Sequence, residues 1–360
     1  MEPYFLPSEW APQSGIMLTW PHSDTDWRPY LENITTTFVE IAEAILQRED
    51  LIVATPHPQE VANLLNSTAD DESYACTNKK RHHVRICPCP SNDTWARDHG
   101  PITLLGSNGQ RKLLDFRFNG WGRKFESEKD NAITRTLYAQ GVFNGELVDN
   151  DDFVLEGGSI ESDGKGTIMT TSFCLMAPNR NQPKSQAEIE DELLRRLHAK
   201  RVIWLDHGQL IGDDTDGHID TIVRFAPDDT LLYVSCTDTT DPQYEDFLLL
   251  EAQLKNLKTE EGKPYRLIPL PMPRAMFDGQ DRLPATYANF LVINGAVLVP
   301  TYHQPDLDTK AVKAIASAFP DREMVAIDAS TIVRQHGSIH CLTMQLPTET
   351  LRISYKNIHP

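Results

Sequence analysis

Apolar positions recur at helical spacing five times along the chain, and each time a short apolar run follows after a brief connection. The pairs are residues 37–48 before 51–54, 129–140 before 145–148, 186–200 before 202–205, 244–257 before 265–268, and 309–319 before 324–327. Ser185 stands three residues ahead of Glu188, the spacing of a capping box, and Asp241-Pro242 offers an N-cap with proline at the first helical position. Further apolar runs at 102–105, 167–170, 231–234 and 290–293 read as additional strands, so strands outnumber helices by about two or three to one. A doubly wound sheet has closer to one helix per strand. The pattern therefore predicts an α/β chain of five small mixed blades, organised as one domain over 1–360.

Composition narrows the function more than the fold. A chain of 360 residues with 40% hydrophobic content is long enough to bury one large core or two ordinary ones. Its net charge of -18 argues against a nucleic-acid partner and favours encounter with cations, although an acidic surface is also an ordinary solubility feature. The first residues lack a basic and apolar leader pattern, and no apolar run reaches membrane-spanning length, so a cytoplasmic location without membrane association is expected. There the six cysteines (Cys76, Cys87, Cys89, Cys174, Cys236 and Cys341) should be free thiols. Cys87 and Cys89 lie near His82 and His83, but no second cysteine pair completes a zinc set, and no metal is expected.

Four segments carry candidate chemistry. In Asp216-Gly217-His218-Ile219-Asp220, alternation predicts the start of a strand with His218 and Asp220 on one face, a proton carrier beside a carboxylate; a solvated edge strand fits equally. An EF-hand fails there, because Gly212 occupies the first ligand position and Val223 the last. Glu156 follows the apolar run 153–155 and precedes two glycines, which places an acid at a strand end where it could hold His218 protonated; an ordinary turn is the alternative. Trp95-Ala96-Arg97-Asp98 leads into His99-Gly100-Pro101 and reads as a loop in which Asp98 could accept a guanidinium fork under Trp95; a loop ion pair between Arg97 and a neighbour over a core tryptophan fits equally. Cys341 follows Gly337-Ser338-Ile339-His340, and taken alone it would be a small buried side chain.

Taken in order, these segments resemble the agmatine deiminase and bacterial-type peptidylarginine deiminase family of the pentein, guanidino-group-modifying superfamily. The resemblance extends to Pro7-Ser8-Glu9-Trp10, Thr19-Trp20-Pro21-His22, Phe118-Asn119-Gly120-Trp121-Gly122, Asn179-Arg180-Asn181, Asn289-Phe290, Asn294-Gly295-Ala296-Val297 and Ile339-His340-Cys341. It implies a five-bladed α/β propeller and cofactor-free hydrolysis of a guanidinium to a ureido group with release of ammonia. By that resemblance Cys341 matches the nucleophile, His218 the general acid/base, Glu156 its carboxylate partner, Asp98 and Asp220 the guanidinium-binding pair, and Trp95 an aromatic wall. The substrate it implies is a small guanidino cation, agmatine first and peptidyl or free arginine second, with putrescine formation as the pathway and self-association left open. The family's glycine run is replaced here by Arg334-Gln335-His336-Gly337-Ser338, so Gln335 and His336 are expected to reshape the mouth of the site. Amidine transfer, a cysteine amidase and a non-catalytic scaffold for a cationic ligand are the competing readings.

Overall fold

A computed structural model describes residues 4–65 and 82–352. Cys76 lies outside them. All five helix–strand pairs are present, and each closes the same motif: an antiparallel pair of strands, a helix, and a third strand parallel to the second. Ile102–Gly106 pairs antiparallel with Arg111–Arg117, and helix Ile133–Ala139 leads to the parallel Glu146–Val154. The pattern repeats in Ile160–Ser162, Thr167–Thr171, Gln186–Arg196 and Arg201–Leu205. It returns in Val223–Ala226, Thr230–Ser235, Tyr244–Asn256 and Arg266–Pro271, and in Leu291–Ile293, Ala296–Thr301, Pro305–Ala318 and Glu323–Asp328.

The remaining sheet is assembled from both ends of the chain. Gln13–Thr19, helix Leu31–Leu46 and the parallel Asp50–Thr55 and Val84–Pro88 supply most of it, and the antiparallel first strand is Thr343–Pro347. A sixth, two-stranded hairpin, Met276–Asp278 with Asp281–Leu283, is an addition to the repeat.

Local chemistry explains the boundaries. Ser185 and Glu188 exchange the two bonds of a capping box at the start of Gln186–Arg196. The Asp241-Pro242 expectation is corrected: the helix begins at Tyr244 with Gln243 as N-cap. Asp241 instead accepts from the Gln243 backbone at 2.9 Å and pairs with Arg282 at 2.6 Å, which uses its carboxylate in a turn before the helix. The largest apolar cluster joins strands and helices of several sheets, including Ile16, Val53, Ile203, Leu232, Leu298 and Leu342. Cys87 and Cys89 sit in a smaller core, where burial pushes both thiols up to about 11. Among the described residues no helix is long and apolar enough to cross a membrane.

Candidate active site

The turn ahead of each sheet's first strand holds the polar residues that the sequence singles out. Asp98 is on the short helix Ala96–His99 before Ile102–Gly106, and Glu156 and Gly158 precede Ile160–Ser162. His218 and Asp220 precede Val223–Ala226, Asn289 precedes Leu291–Ile293, and Cys341 precedes Thr343–Pro347. Equivalent points of one structural repeat thus present different chemistry from a rigid framework.

Two local expectations are corrected. Asp98 rides on a helical turn, buried, rather than on an edge loop. His218 and Asp220 do not share a strand face, because Asp216 and Gly217 adopt left-handed conformations, φ 66° and 91°, and residues Ile219–Thr221 form a 3₁₀ turn. A side chain at Gly217 would also collide with the Phe173 ring, 1.9 Å from the ideal Cβ position.

The turns nevertheless converge. A Cβ built on Gly158 would lie 2.7 Å from His218 Nδ1, 2.9 Å from Asp98 Oδ1 and 3.1 Å from Asp220 Oδ2. The Gly158 N–H itself donates to Asp98 Oδ1 at 3.0 Å, and Trp121 Nε1 donates to Asp98 Oδ2 at 3.0 Å. Cys341 Sγ stands 3.8 Å from Asp220 Oδ2 and 3.3 Å from Asn289 Oδ1, which also accepts the Cys341 backbone N–H at 3.2 Å.

Burial and charge set the protonation states. Burial raises Asp98 to about 6, with Asp220 and Glu156 adding to the rise and His218 opposing it. Burial opposes a charge on His218, but Asp98, whose Oδ1 lies 3.7 Å from Nδ1, together with Cys174 and Glu156, holds the imidazole well above its ordinary value. Both ring nitrogens of His218 are buried without hydrogen-bond partners. Burial, then the Asp220 and Asp98 charges, push the Cys341 thiol well above its ordinary value. At neutral pH the free site therefore holds an imidazolium and a neutral thiol.

Glu156 acts on His218 through charge alone. Its carboxylate is occupied by Arg180, whose Nε lies 3.0 and 3.3 Å from the two oxygens, and Arg180 also reaches Asp216 at 2.6 Å and the Thr215 carbonyl at 2.7 Å. Among the described residues, two groups of side chains have ligand atoms close enough for a metal: Glu156, Cys174 and His218, and Glu9, Glu161 and His340. Each contains a carboxylate already bound by an arginine, Arg180 or Arg224, so both are arranged as ion pairs.

Cys341, Asp98, Trp95 and Trp121 line a cleft of about 460 Å³ that opens to solvent. Trp95 donates from Nε1 to Asp93 at 3.0 Å and packs beside Trp27 and Trp121. Gly337 leaves room for it, since a Cβ there would come within 2.2 Å of the indole. Asp26, Asp93 and Asp214 add carboxylates to the lining, and burial raises Asp93 to about 7 and Asp214 to about 6. Gln335 and His336 also line the cleft, and are held by Gln335 Nε2 to the Asp26 carbonyl at 2.8 Å and His336 Nδ1 with the Gly212 carbonyl at 2.5 Å.

Asn289, Arg180 and Trp121 belong to the site although the residue patterns alone assign them no part in it. The signal available was that each lies in a short motif flanked by asparagine, glycine or phenylalanine in a turn, where a packed core needs no polar group.

A buried thiol facing carboxylates and an imidazolium, at the heads of repeated mixed sheets, defines a class of α/β proteins built to act on a cation. Residues 5–347 match the Porphyromonas-type peptidyl-arginine deiminase family, and the chain belongs to it. An agmatine deiminase of Stutzerimonas stutzeri is 30% identical, with 97% of each chain covered. A solved structure from Porphyromonas gingivalis, provisionally named an arginine deiminase, is 48% identical with a TM-score of 0.89, covering 97% of this chain and 100% of that one. A C. jejuni agmatine deiminase carrying a cysteine-to-serine substitution, solved with substrate bound, is 35% identical, TM-score 0.86, with 97% of each chain covered.

Proposed function

We propose that this chain is a single catalytic domain that hydrolyses agmatine to N-carbamoylputrescine and ammonia, its five sheets set around a common axis as a five-bladed propeller. The observation that carries the reading is the convergence of Asp98, Asp220 and His218 on Gly158, with the Cys341 sulfur beside Asp220. A planar guanidinium offers forked N–H donors that match paired carboxylates.

In this reading Asp98 and Asp220 hold the guanidinium with its central carbon toward Cys341, and Trp95 walls the cleft. The thiol starts protonated, so the substrate's own charge drives its ionisation. A cation about 4 Å from sulfur is worth roughly 4 kcal/mol at an effective dielectric of 20, or about three pKa units before desolvation is subtracted. The thiol proton leaves to solvent, and the thiolate attacks the guanidinium carbon. The His218 imidazolium donates its proton to the departing nitrogen, which leaves as ammonia while the C–N bond breaks. Neutral His218 then takes a proton from water as the hydroxide adds to the amidino-thioether. Collapse breaks the C–S bond while the hydroxyl proton of the adduct passes to the departing sulfur, which returns as the thiol, and the ureido product leaves with His218 again protonated. Glu156 supports that charge from behind.

Agmatine is favoured over arginine by the lining. Among the described residues around the cleft there is no lysine or arginine to receive an α-carboxylate, whereas Asp26, Asp93 and Asp214 suit a terminal ammonium. Gln335 and His336 add bulk to the lining where they are pinned to Asp26 and Gly212, which suits a small substrate better than a peptide. The unbridged cysteines among the described residues support the cytoplasmic setting.

The test is ammonia and ureido formation with agmatine, free arginine and an arginyl peptide, using the wild type and Cys341→Ala. Agmatine should give the highest kcat/KM and the variant background turnover only. A faster reaction with arginine or the peptide would overturn the substrate assignment, and turnover by Cys341→Ala would overturn the mechanism.

A further inference from the structure

Behind Asp220 lies a largely buried chain of charges whose other members the mechanism above does not use. His340 Nδ1 is 2.7 Å from Asp220 Oδ2, and His340 Nε2 is 2.7 Å from Glu9 Oε1. Glu9 also accepts from Arg97 Nη1 at 3.2 Å and from Arg224, and Arg224 in turn binds Glu161. Arg224 completes its donors on the Ala288 and Phe290 carbonyls at 2.9 and 2.7 Å.

Ionised carboxylates only accept hydrogen bonds. Arg224, His340 and Arg97 overcome burial to keep Glu9 well below the ordinary carboxylate range, and the His340 hydrogen bond and charge lower Asp220 against burial. Burial, then the Arg224 and Arg97 charges, lower His340 below its ordinary value against the opposing pull of Glu9 and Asp220. Asp220 Oδ2 can only accept, so the 2.7 Å contact places a proton on His340 Nδ1, while Nε2 lies between Glu9 Oε1 at 2.7 Å and the Arg224 donor Nη2 at 3.1 Å. The other oxygen of Asp220, Oδ1, is buried without any hydrogen-bond partner. A fully buried, unpartnered carboxylate oxygen is costly to maintain unless a donor arrives from outside the protein.

We propose that His340, held between Glu9 and Asp220, is a positioning residue that clamps Asp220 by Oδ2 and so reserves its second oxygen for a substrate N–H. This inference rests on the guanidinium-hydrolase reading. Glu9 orients His340 from the far side, and the arginines keep Glu9 charged. The clamp acts on the geometry of cation capture.

Its signature is a loss in cation recognition with the thiol still reactive. His340→Ala removes the clamp, and His340→Asn restores a donor near the Nδ1 position. For His340→Ala we expect KM for agmatine to rise roughly 10- to 100-fold, the size of one lost charge-assisted hydrogen bond. Alkylation of Cys341 by the cationic probe 2-chloroacetamidine should slow by a similar factor, while alkylation by neutral iodoacetamide should not slow with it. His340→Asn should recover at least half of the loss on a logarithmic scale. Circular dichroism and thermal melting establish that each variant is folded; if His340→Ala is not, His340→Asn and Glu9→Gln carry the comparison, with Glu9→Gln expected to raise KM more than kcat changes. The proposal is overturned if a folded His340→Ala keeps wild-type kcat/KM, if both probes slow together, or if His340→Asn is as impaired as His340→Ala. In the fallback, wild-type KM in both remaining variants overturns it. Absence of agmatine turnover in the wild type would instead count against the function proposed above, and the two probes would still separate cation capture from thiol reactivity.

Discussion

Replacing Gly158 by alanine adds one methyl group at the point where three ionisable side chains meet. Its distances of 2.7, 2.9 and 3.1 Å to His218 Nδ1, Asp98 Oδ1 and Asp220 Oδ2 fall short of ordinary contact. His218 would have to retreat by about 0.7 Å and Asp98 by about 0.5 Å to reach a normal carbon–heteroatom separation. Neither can do so freely, because Asp98 is held by Trp121 and the Gly158 N–H, and His218 is fully buried. Gly158 does not occupy the left-handed region, so the backbone itself tolerates alanine. The folding cost should be about 1–3 kcal/mol, the usual range for overpacking. Misplacement on the scale of 1 Å costs about 10²-fold in rate, so kcat/KM for agmatine should fall by about two orders of magnitude. The assay is steady-state ammonia release beside a thermal melt and iodoacetamide labelling of Cys341. A folded Gly158→Ala protein within about threefold of wild-type kcat/KM would refute the convergence of these groups on a shared substrate position.

Further tests bear on charge. Burial holds Glu49 at about 8 and Asp93, Asp130 and Glu161 at about 7, so between about pH 6.5 and 8.5 the folded chain binds more protons than the unfolded one. Stability is then lost as pH rises through that window, and the melting temperature should be lower at about pH 8.5 than at about 6.5; a flat or rising trend would contradict the burial of these acids. Because Asp98 titrates at about 6 in the free site, kcat/KM should decline as pH drops through 6, and Asp98→Asn should be poorly active at every pH. Arg180→Ala leaves Glu156 buried and uncompensated, which should cost about 3–5 kcal/mol in urea unfolding. Gly337→Ala drives a methyl into the Trp95 ring and should raise KM for agmatine, measurable alongside quenching of tryptophan fluorescence by substrate.

The repeat was legible in the sequence because each helix has its own apolar stripe and each following strand is an apolar run, features carried within about 20 residues. Site residues were legible only as short motifs. Cys341, His218, Asp98 and Asp220 do gather, but nothing local to 216–220 revealed that two left-handed residues would replace the expected strand with a turn. The partners were less legible still. Arg180 claims Glu156 from 24 positions away, and Glu9 meets His340 across 331, since hydrogen bonds between distant turns leave no periodic trace. Gln335 and His336 found their explanation in contacts with Asp26 and Gly212 that spacing could not show.

The strand that completes the N-terminal sheet begins two residues after Cys341 and pairs with Gln13–Thr19. The proposed nucleophile is thereby tied to the topological seam of the molecule. During synthesis the N-terminal strands emerge hundreds of residues before their antiparallel neighbour, and the sulfur has no fixed position until that late strand docks. Assembly of the reactive centre and closure of the seam are one event, so nascent or nicked chains that leave the seam open should be chemically silent.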